Sequence, residues 1–182
     1  MTVTPSRART TRGRVPSAAV TEALCILFTG RSGAGKDTVG RGVARELRRR
    51  GHACALVDAA SVELHLEPGP AAIVWCCGLL TANGVTALVT SPAPTRAVRE
   101  RLRAEMPQLR EVYLDIPGNL GTARSGERDD GYEEPYAPDL RVPTYDRDAA
   151  ASIAQVLSYL EVQGVAPHDP PHPSEQATES HP

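Results

Sequence analysis

The run Ala23-Leu24-Cys25-Ile26-Leu27-Phe28-Thr29, followed at once by Gly30-Arg31-Ser32-Gly33-Ala34-Gly35-Lys36, decides the fold of this chain. Its first half is apolar without alternation and has strand length, as suits a strand buried on both faces. Its second half matches Gly-x-x-x-x-Gly-Lys, in which glycines let the backbone wrap round phosphate oxygens. Amide N–H groups and a helix N-terminus then face the negative charge. A helix is expected over 36–50, with Val39, Val43 and Leu47 on one face, Arg48, Arg49 and Arg50 in the last turn and Gly51 as the stop. Strand, glycine loop and helix form the context that a phosphate-binding loop requires, and they argue against a chance glycine-rich turn.

The expected ATP-binding segment is therefore Gly30, Arg31, Ser32, Gly33, Ala34, Gly35, Lys36, Asp37 and Thr38. Lys36 would neutralise the β- and γ-phosphates and stabilise the transition state. The next position usually carries Ser or Thr, whose hydroxyl ligates Mg²⁺, but here it is Asp37. A carboxylate can hold Mg²⁺ directly or through a coordinated water, so Asp37 is a candidate metal residue. Thr38 is one residue out of register and projects about 100° further round the helix.

Outward from the loop, the pattern alternates. Strands are expected at 53–57, 85–90, 111–115 and 140–142, and helices at 71–82, 95–106 and about 146–162. The apolar 71–82 segment reads as a buried helix closed by Asn83-Gly84, and the last helix as one with acids in its first turn. Such alternation predicts an α/β fold of P-loop NTPase type: three layers, a mainly parallel sheet covered by helices on both faces, and ligands at the carboxyl ends of the strands.

The chain has 182 residues, enough for one ordinary domain, expected over 21–164. Residues 1–20 carry Arg7, Arg9, Arg12 and Arg14 without an acid and read as a disordered basic leader; 165–182, rich in Pro, His and Ser, reads as a disordered tail. A formal charge of −2 and few aromatic residues offer no basis for a nucleic-acid partner. The longest apolar stretch, 71–80, is too short to span a bilayer, so no membrane is expected. Cys25, Cys54, Cys76 and Cys77 show no zinc spacing and read as buried reduced thiols in a cytoplasmic protein.

With its elements placed, the chain resembles the adenylylsulfate (APS) kinase family from about Leu24 to Gly164. Besides the loop, the resemblance rests on Leu56-Val57-Asp58, on Asn83-Gly84-Val85 leading to Val89-Thr90-Ser91-Pro92, and on Glu111-Val112-Tyr113-Leu114-Asp115. It continues in Asp129-Asp130-Gly131-Tyr132-Glu133-Glu134-Pro135, in Ala137-Pro138-Asp139-Leu140 and in Val156-Leu157-Ser158-Tyr159-Leu160-Glu161. The resemblance implies transfer of the ATP γ-phosphoryl group to the 3′-hydroxyl of adenosine 5′-phosphosulfate. The differences fall on the acceptor side. The family's Asp-Gly-Asp-x-Val-Arg is here Asp58-Ala59-Ala60-Ser61-Val62-Glu63, and its charged gripping run falls on His65 to Gly69 and Ala71-Ala72. The lid after Asp115 is shortened, with Arg124 as a remnant. Glutamate where an anionic acceptor met arginine repels it, and each lost charge-assisted contact is worth about 1.5–3 kcal/mol.

Candidate roles follow. Asp58, at a strand's carboxyl end, suits a general base for the acceptor hydroxyl or a second Mg²⁺ residue, against a turn or cap aspartate. Ser91 and Arg124 are candidate acceptor contacts, Ser91 against a turn before Pro92. Arg96 and Arg99 read as a solvated helix face, and Tyr132 and Pro135 as packing for the lid or the adenine edge. Two functions remain open for the acceptor side. One is a small-molecule kinase acting on APS or on another hydroxylated metabolite or nucleotide. The other is a catalytically impaired nucleotide-binding module, with the 71–80 helix as a candidate homodimer contact.

Overall fold

Strand β1 (Cys25–Thr29) is wholly buried and lies at the centre of a five-stranded sheet ordered β2-β3-β1-β4-β5. The other strands are β2 (Cys54–Asp58), β3 (Thr86–Thr90), β4 (Leu109–Asp115) and β5 (Leu140–Pro143). Every neighbouring pair is parallel, in registers such as Leu27↔Val89 and Leu27↔Glu111. A computed structural model describes residues 23–59, 61–62, 70–91, 93–117 and 131–165, so the expected leader and the tail after Val165 lie outside the described residues, while Val165 itself, expected to open the tail, is buried in the core.

Among the described residues, the helices that cover the sheet are α1 (Lys36–Arg49), α2 (Pro70–Ala82), α3 (Arg96–Glu105) and α4 (Ala149–Val162). Alternation along the strands divides the core. Ile26, Phe28, Leu88, Val112 and Leu114 meet Val39, Val43 and Leu47 of α1 and Val156 and Leu160 of α4. Cys25, Leu27, Ala87 and Val89 meet Ile73 and Cys77 of α2 and Leu102 of α3 on the opposite face. From β1 the chain runs out to β2, returns to β3, then crosses to β4. This reversal at the carboxyl end of β1 opens a crevice for ligands, and the glycine loop stands there.

Local chemistry explains the helix ends. Arg50 and Gly51 close α1, with Gly51 at φ 78°. The Gly51 N–H donates to Arg48 O and the His52 N–H to Leu47 O, the pattern that satisfies a helix's last carbonyls. Thr95 caps α3 by accepting from the Val98 N–H. The last helix begins later than its acids suggested: Asp148 is the cap, accepting from Ala151 N–H at 2.7 Å, and the first turn itself has no acid.

Two glycines fix the seat of α1. A Cβ at Gly40 would meet Thr90 Cγ2 at 2.8 Å, and one at Gly42 would meet Ile153 Cδ1 of α4 at 2.2 Å. The helix that follows the phosphate loop thus lies close to both sheet and α4, and a side chain at either position would require Thr90 or Ile153 to shift.

Helix α2 departs from the sequence reading. Only Ala72, Ile73 and Cys77 are buried, while Trp75 is 64% and Leu79 54% exposed. The reason is position. It packs on β3 and α3 but is the outermost helix of its layer, so among the described residues its uniformly apolar surface has its main neighbours on one side. The thiols divide likewise: all four are free, with Cys25 and Cys77 buried and Cys54 and Cys76 half-buried.

Candidate functional site

The phosphate loop is built by glycine conformations. Gly30, Gly33 and Gly35 have φ of 146°, 77° and 86°, in the region that side-chain-bearing residues avoid. A Cβ on Gly30 would also lie 2.5 Å from the Leu114 carbonyl oxygen, so the loop leaves β1 pressed against β4. Replacing Gly30 by alanine should therefore destabilise the fold by about 1–3 kcal/mol and weaken nucleotide binding, as read by denaturant unfolding and ATP titration. Ala34 is buried beneath the loop, and Asp37 and Thr38 open the first turn of α1 on its exposed side.

Lys36 reaches back over this turn. Its Nζ donates to Gly30 O at 2.9 Å and to Arg31 O at 3.0 Å, which holds the ammonium at the mouth of the loop. A cleft of about 210 Å³ runs beside it, lined by Ala34, Gly35, Thr38, Thr144, Arg147 and Ser152. The far wall comes from the connection between β5 and α4, which sequence reading did not assign to the site. The only available signal was its place at a strand's carboxyl end.

Asp58 ends β2, and its carboxylate accepts from Ser61 Oγ at 2.8 Å. By strand alternation it lies on the α1 side with Cys54 and Leu56, both of which pack against the core on that face. Ser91 follows β3 and is buried, and its Oγ accepts from the Ala93 N–H at 3.2 Å, the local turn bond that was the alternative to an acceptor contact. Within that turn Ala93 holds φ 33°, a left-handed conformation that costs energy for alanine. Arg124 lies outside the described residues.

The largest departure from sequence is Arg99. It is only 3% exposed, and its Nε pairs with Glu111, also 3% exposed, at 3.0 Å. Its other nitrogens donate to Ala93 O at 2.6 Å, to Pro94 O and to Glu133 O. Glu111 in turn accepts from Thr29 Oγ1 at 3.1 Å and from Arg103 at 3.1 Å, and Arg103 reaches Asp139 at 2.8 Å. Arg96, half-buried and not the solvated side chain expected, is engaged as well: its backbone N–H and guanidinium hold Glu133, Glu134 O and Tyr136, and it stacks 3.9 Å from the Tyr136 ring centre. This cluster ties three places together: the last residue before the phosphate loop, the turn after β3, and the 131–136 segment.

Tyr132 belongs to the same cluster. It is buried and stacked on Tyr113 with ring centres 6.0 Å apart, under the Arg99 guanidinium. Burial pushes its hydroxyl up to about 12, against the opposing pull of the Thr29 hydrogen bond and the Arg99 charge. The Tyr113 hydroxyl is raised as well, by burial and by Asp115, to which it donates at 3.2 Å. Both rings are therefore neutral packing at physiological pH. Tyr132 covers the sheet and does not line the cleft beside the phosphate loop.

Comparison with known proteins agrees with this geometry. The adenylylsulphate kinase family model matches residues 22–127. An adenylyl-sulfate kinase of Halothermothrix orenii is 31% identical over 168 residues, covering 78% of this chain and 91% of that protein. Among solved structures, an APS kinase of Mycobacterium tuberculosis in complex with AMPPNP and APS superposes with a TM-score of 0.61 at 26% identity, covering 77% of this chain and 98% of that one. A hexameric APS kinase from Thiobacillus denitrificans also gives 0.61 at 26% identity, covering 80% of this chain and 30% of that one.

Proposed function

Because the chain belongs to the adenylylsulphate kinase family, and is on that ground an ATP-dependent kinase, we propose that it phosphorylates a small hydroxylated acceptor, adenosine 5′-phosphosulfate before others. The observation that carries this reading is the pairing of the Lys36 loop with Asp58 at the end of β2, a cation for the donor and a carboxylate for the acceptor.

The triphosphate lies on the amides of Gly30 to Thr38, with Lys36 turning from its two backbone carbonyls to the β- and γ-phosphates. The base and ribose occupy the cleft walled by Thr144 and Arg147. Asp58 takes the proton of the acceptor hydroxyl as its oxygen bonds to the γ-phosphorus. The bond from that phosphorus to the β–γ bridging oxygen breaks, and ADP leaves. Mg²⁺ suits the oxygen donors available: Asp37 is exposed one residue beyond Lys36, and Asp58 ends β2 at the same carboxyl edge of the sheet as the loop. When bound, the ion neutralises charge developing on the phosphates.

The four unpaired thiols suit a reducing, cytoplasmic setting, and among the described residues no helix is long and apolar enough to cross a membrane. The hexameric neighbour supports self-association of this chain too.

A second acceptor is favoured by one specific feature of the sequence, the glutamate at 63 and the apolar residues 71–72 in place of charged gripping positions. Incubation with ATP, Mg²⁺ and APS separates the two. A 3′-phosphorylated product above a Lys36→Ala control supports APS. Turnover only with another hydroxylated acceptor supports the rebuilt site, and ATP binding without any turnover leaves the impaired module. Asp58→Asn should lower kcat by about 10²–10⁴ with ATP affinity retained, read by coupled assay and titration.

A further inference from the structure

The ladder between β1 and β3 stops short of the loops that follow the two strands. Among the described residues its last backbone bond runs from the Ser91 N–H to Phe28 O at 3.4 Å, and both Gly30 and Ala93 lie beyond it. A buried side-chain bridge continues the connection. Thr29, the last residue of β1, is wholly buried and donates from Oγ1 to Glu111 Oε1 at 3.1 Å. The same oxygen takes Arg99 Nε at 3.0 Å. Arg99 then donates to Ala93 O at 2.6 Å and to Pro94 O at 3.3 Å, both in the turn after β3, and to Glu133 O. Ala93 is held from its other side too, since its N–H rests on Ser91 Oγ at 3.2 Å. A left-handed alanine persists only where its surroundings enforce it, and here φ is 33°. At the opposite end the bridge meets the phosphate loop: the carbonyl after Thr29, that of Gly30, is one of the two that receive Lys36 Nζ.

We propose that Glu111 and Arg99 are positioning residues of phosphoryl transfer. Acting through Thr29 and Ala93, the pair yokes the phosphate loop to the turn bordering the acceptor and fixes the spacing across which the γ-phosphoryl group moves. Holding α3 to the sheet does not require this arrangement. Arg103, one turn further along the helix, already reaches Glu111 Oε2 at 3.1 Å and Asp139 at 2.8 Å. Arg99 instead turns its remaining nitrogens to three carbonyls, none of them in a strand. The proposal rests on the kinase reading for what is aligned, while the coupling of the two loops holds whatever the acceptor.

Thr29→Val cuts the yoke at the donor end, keeps the side chain's shape and leaves the Arg99–Glu111 pair in place. Because a misplacement of about 1 Å can cost about a hundredfold in rate, it should lower kcat about ten- to hundredfold, with ATP affinity near wild type. Thr29→Ser returns the hydroxyl and should restore the rate, although serine fills the site less well than valine. Arg99→Lys keeps a cation beside Glu111 but cannot span the carbonyls, and should lose a similar factor. Cuts in series do not multiply, so the double variant should be no slower than the slower single.

Hydrogen exchange on the full chain reads the yoke without any acceptor. AMPPNP should slow exchange of the Ala93 and Arg96 amides, which rest on Ser91 Oγ and Glu133 Oε2. Thr29→Val should abolish that slowing while the amides of the phosphate loop stay protected. Slowing that persists in Thr29→Val would mean direct contact with the nucleotide and would overturn the proposal. So would its absence from the wild type, a serine variant as slow as the valine one, or losses that multiply. Exchange coupling without transfer to any acceptor would support the yoke and remove the kinase reading alone.

Discussion

Lys36→Ala should lower phosphoryl transfer by about 10²–10³ or more, while unfolding free energy changes by no more than about 1 kcal/mol. The asymmetry follows from where Lys36 makes its bonds. In the free protein its ammonium rests on two carbonyls of the loop it serves, those of Gly30 and Arg31, in a half-buried position. Water can replace those bonds at little cost, so the loop survives the loss. In the transition state the same ammonium faces charge spread over the transferring phosphoryl oxygens, where water is excluded and no other described side chain of the loop carries a positive charge except Arg31. Steady-state assay and denaturant unfolding on one preparation check both halves. Equal losses of stability and activity would mean that Lys36 props up the loop and does no more.

Glu111→Ala should cost about 3–5 kcal/mol of stability, enough to unfold much of a domain of ordinary stability. The substitution strands the Arg99 guanidinium, 3% exposed, without its carboxylate, and removes the acceptor of Thr29 and Arg103. Taking out one member of a buried pair is far worse than taking out both, because the survivor keeps the desolvation penalty. Arg99→Met combined with Glu111→Leu should therefore recover a substantial part of the loss. Urea unfolding of the single and paired variants decides it. A single variant that loses less than about 1 kcal/mol would show that water reaches the guanidinium after all.

This pair also marks where the sequence stopped being informative. The phosphate loop and the strands were legible because a strand buried on both faces leaves an uninterrupted apolar run, as at 23–29 and 85–90, and because a glycine loop between strand and helix has few other uses. Arg99 was read as solvated because helical spacing alone makes any arginine look exposed. The missed signal was in the partner strand. Glu111 occupies a position on β4 that alternates with Val112 and Leu114, and it faces the helix carrying Arg99 and Arg103, four residues apart. A charge in a strand otherwise buried asks for a countercharge, and only the topology says which helix supplies it.

Helix α2 failed for the opposite reason. Its composition is apolar all round, and composition cannot tell a helix wedged between neighbours from one at the rim of a layer. Trp75 and Leu79 became visible as surface only once β2 was seen to be the edge. On the acceptor side, Asp58 and Ser91 were placed correctly at strand ends, since that follows from strand assignment. Their contacts with Ser61 and the Ala93 turn depend on loop geometry, which no spacing rule contains.

The close seating of α1 has a consequence for how the molecule divides labour in time. Gly40 against Thr90 and Gly42 against Ile153 seat the helix closely on both neighbours. The phosphate loop, welded to the front of that helix and pressed through Gly30 onto β4, is thus a stationary reference, an anvil on which the triphosphate is placed. Substitutions on the buried face of α1, at Gly40 and Gly42, should act through packing, in contrast to those at Lys36 in its first turn.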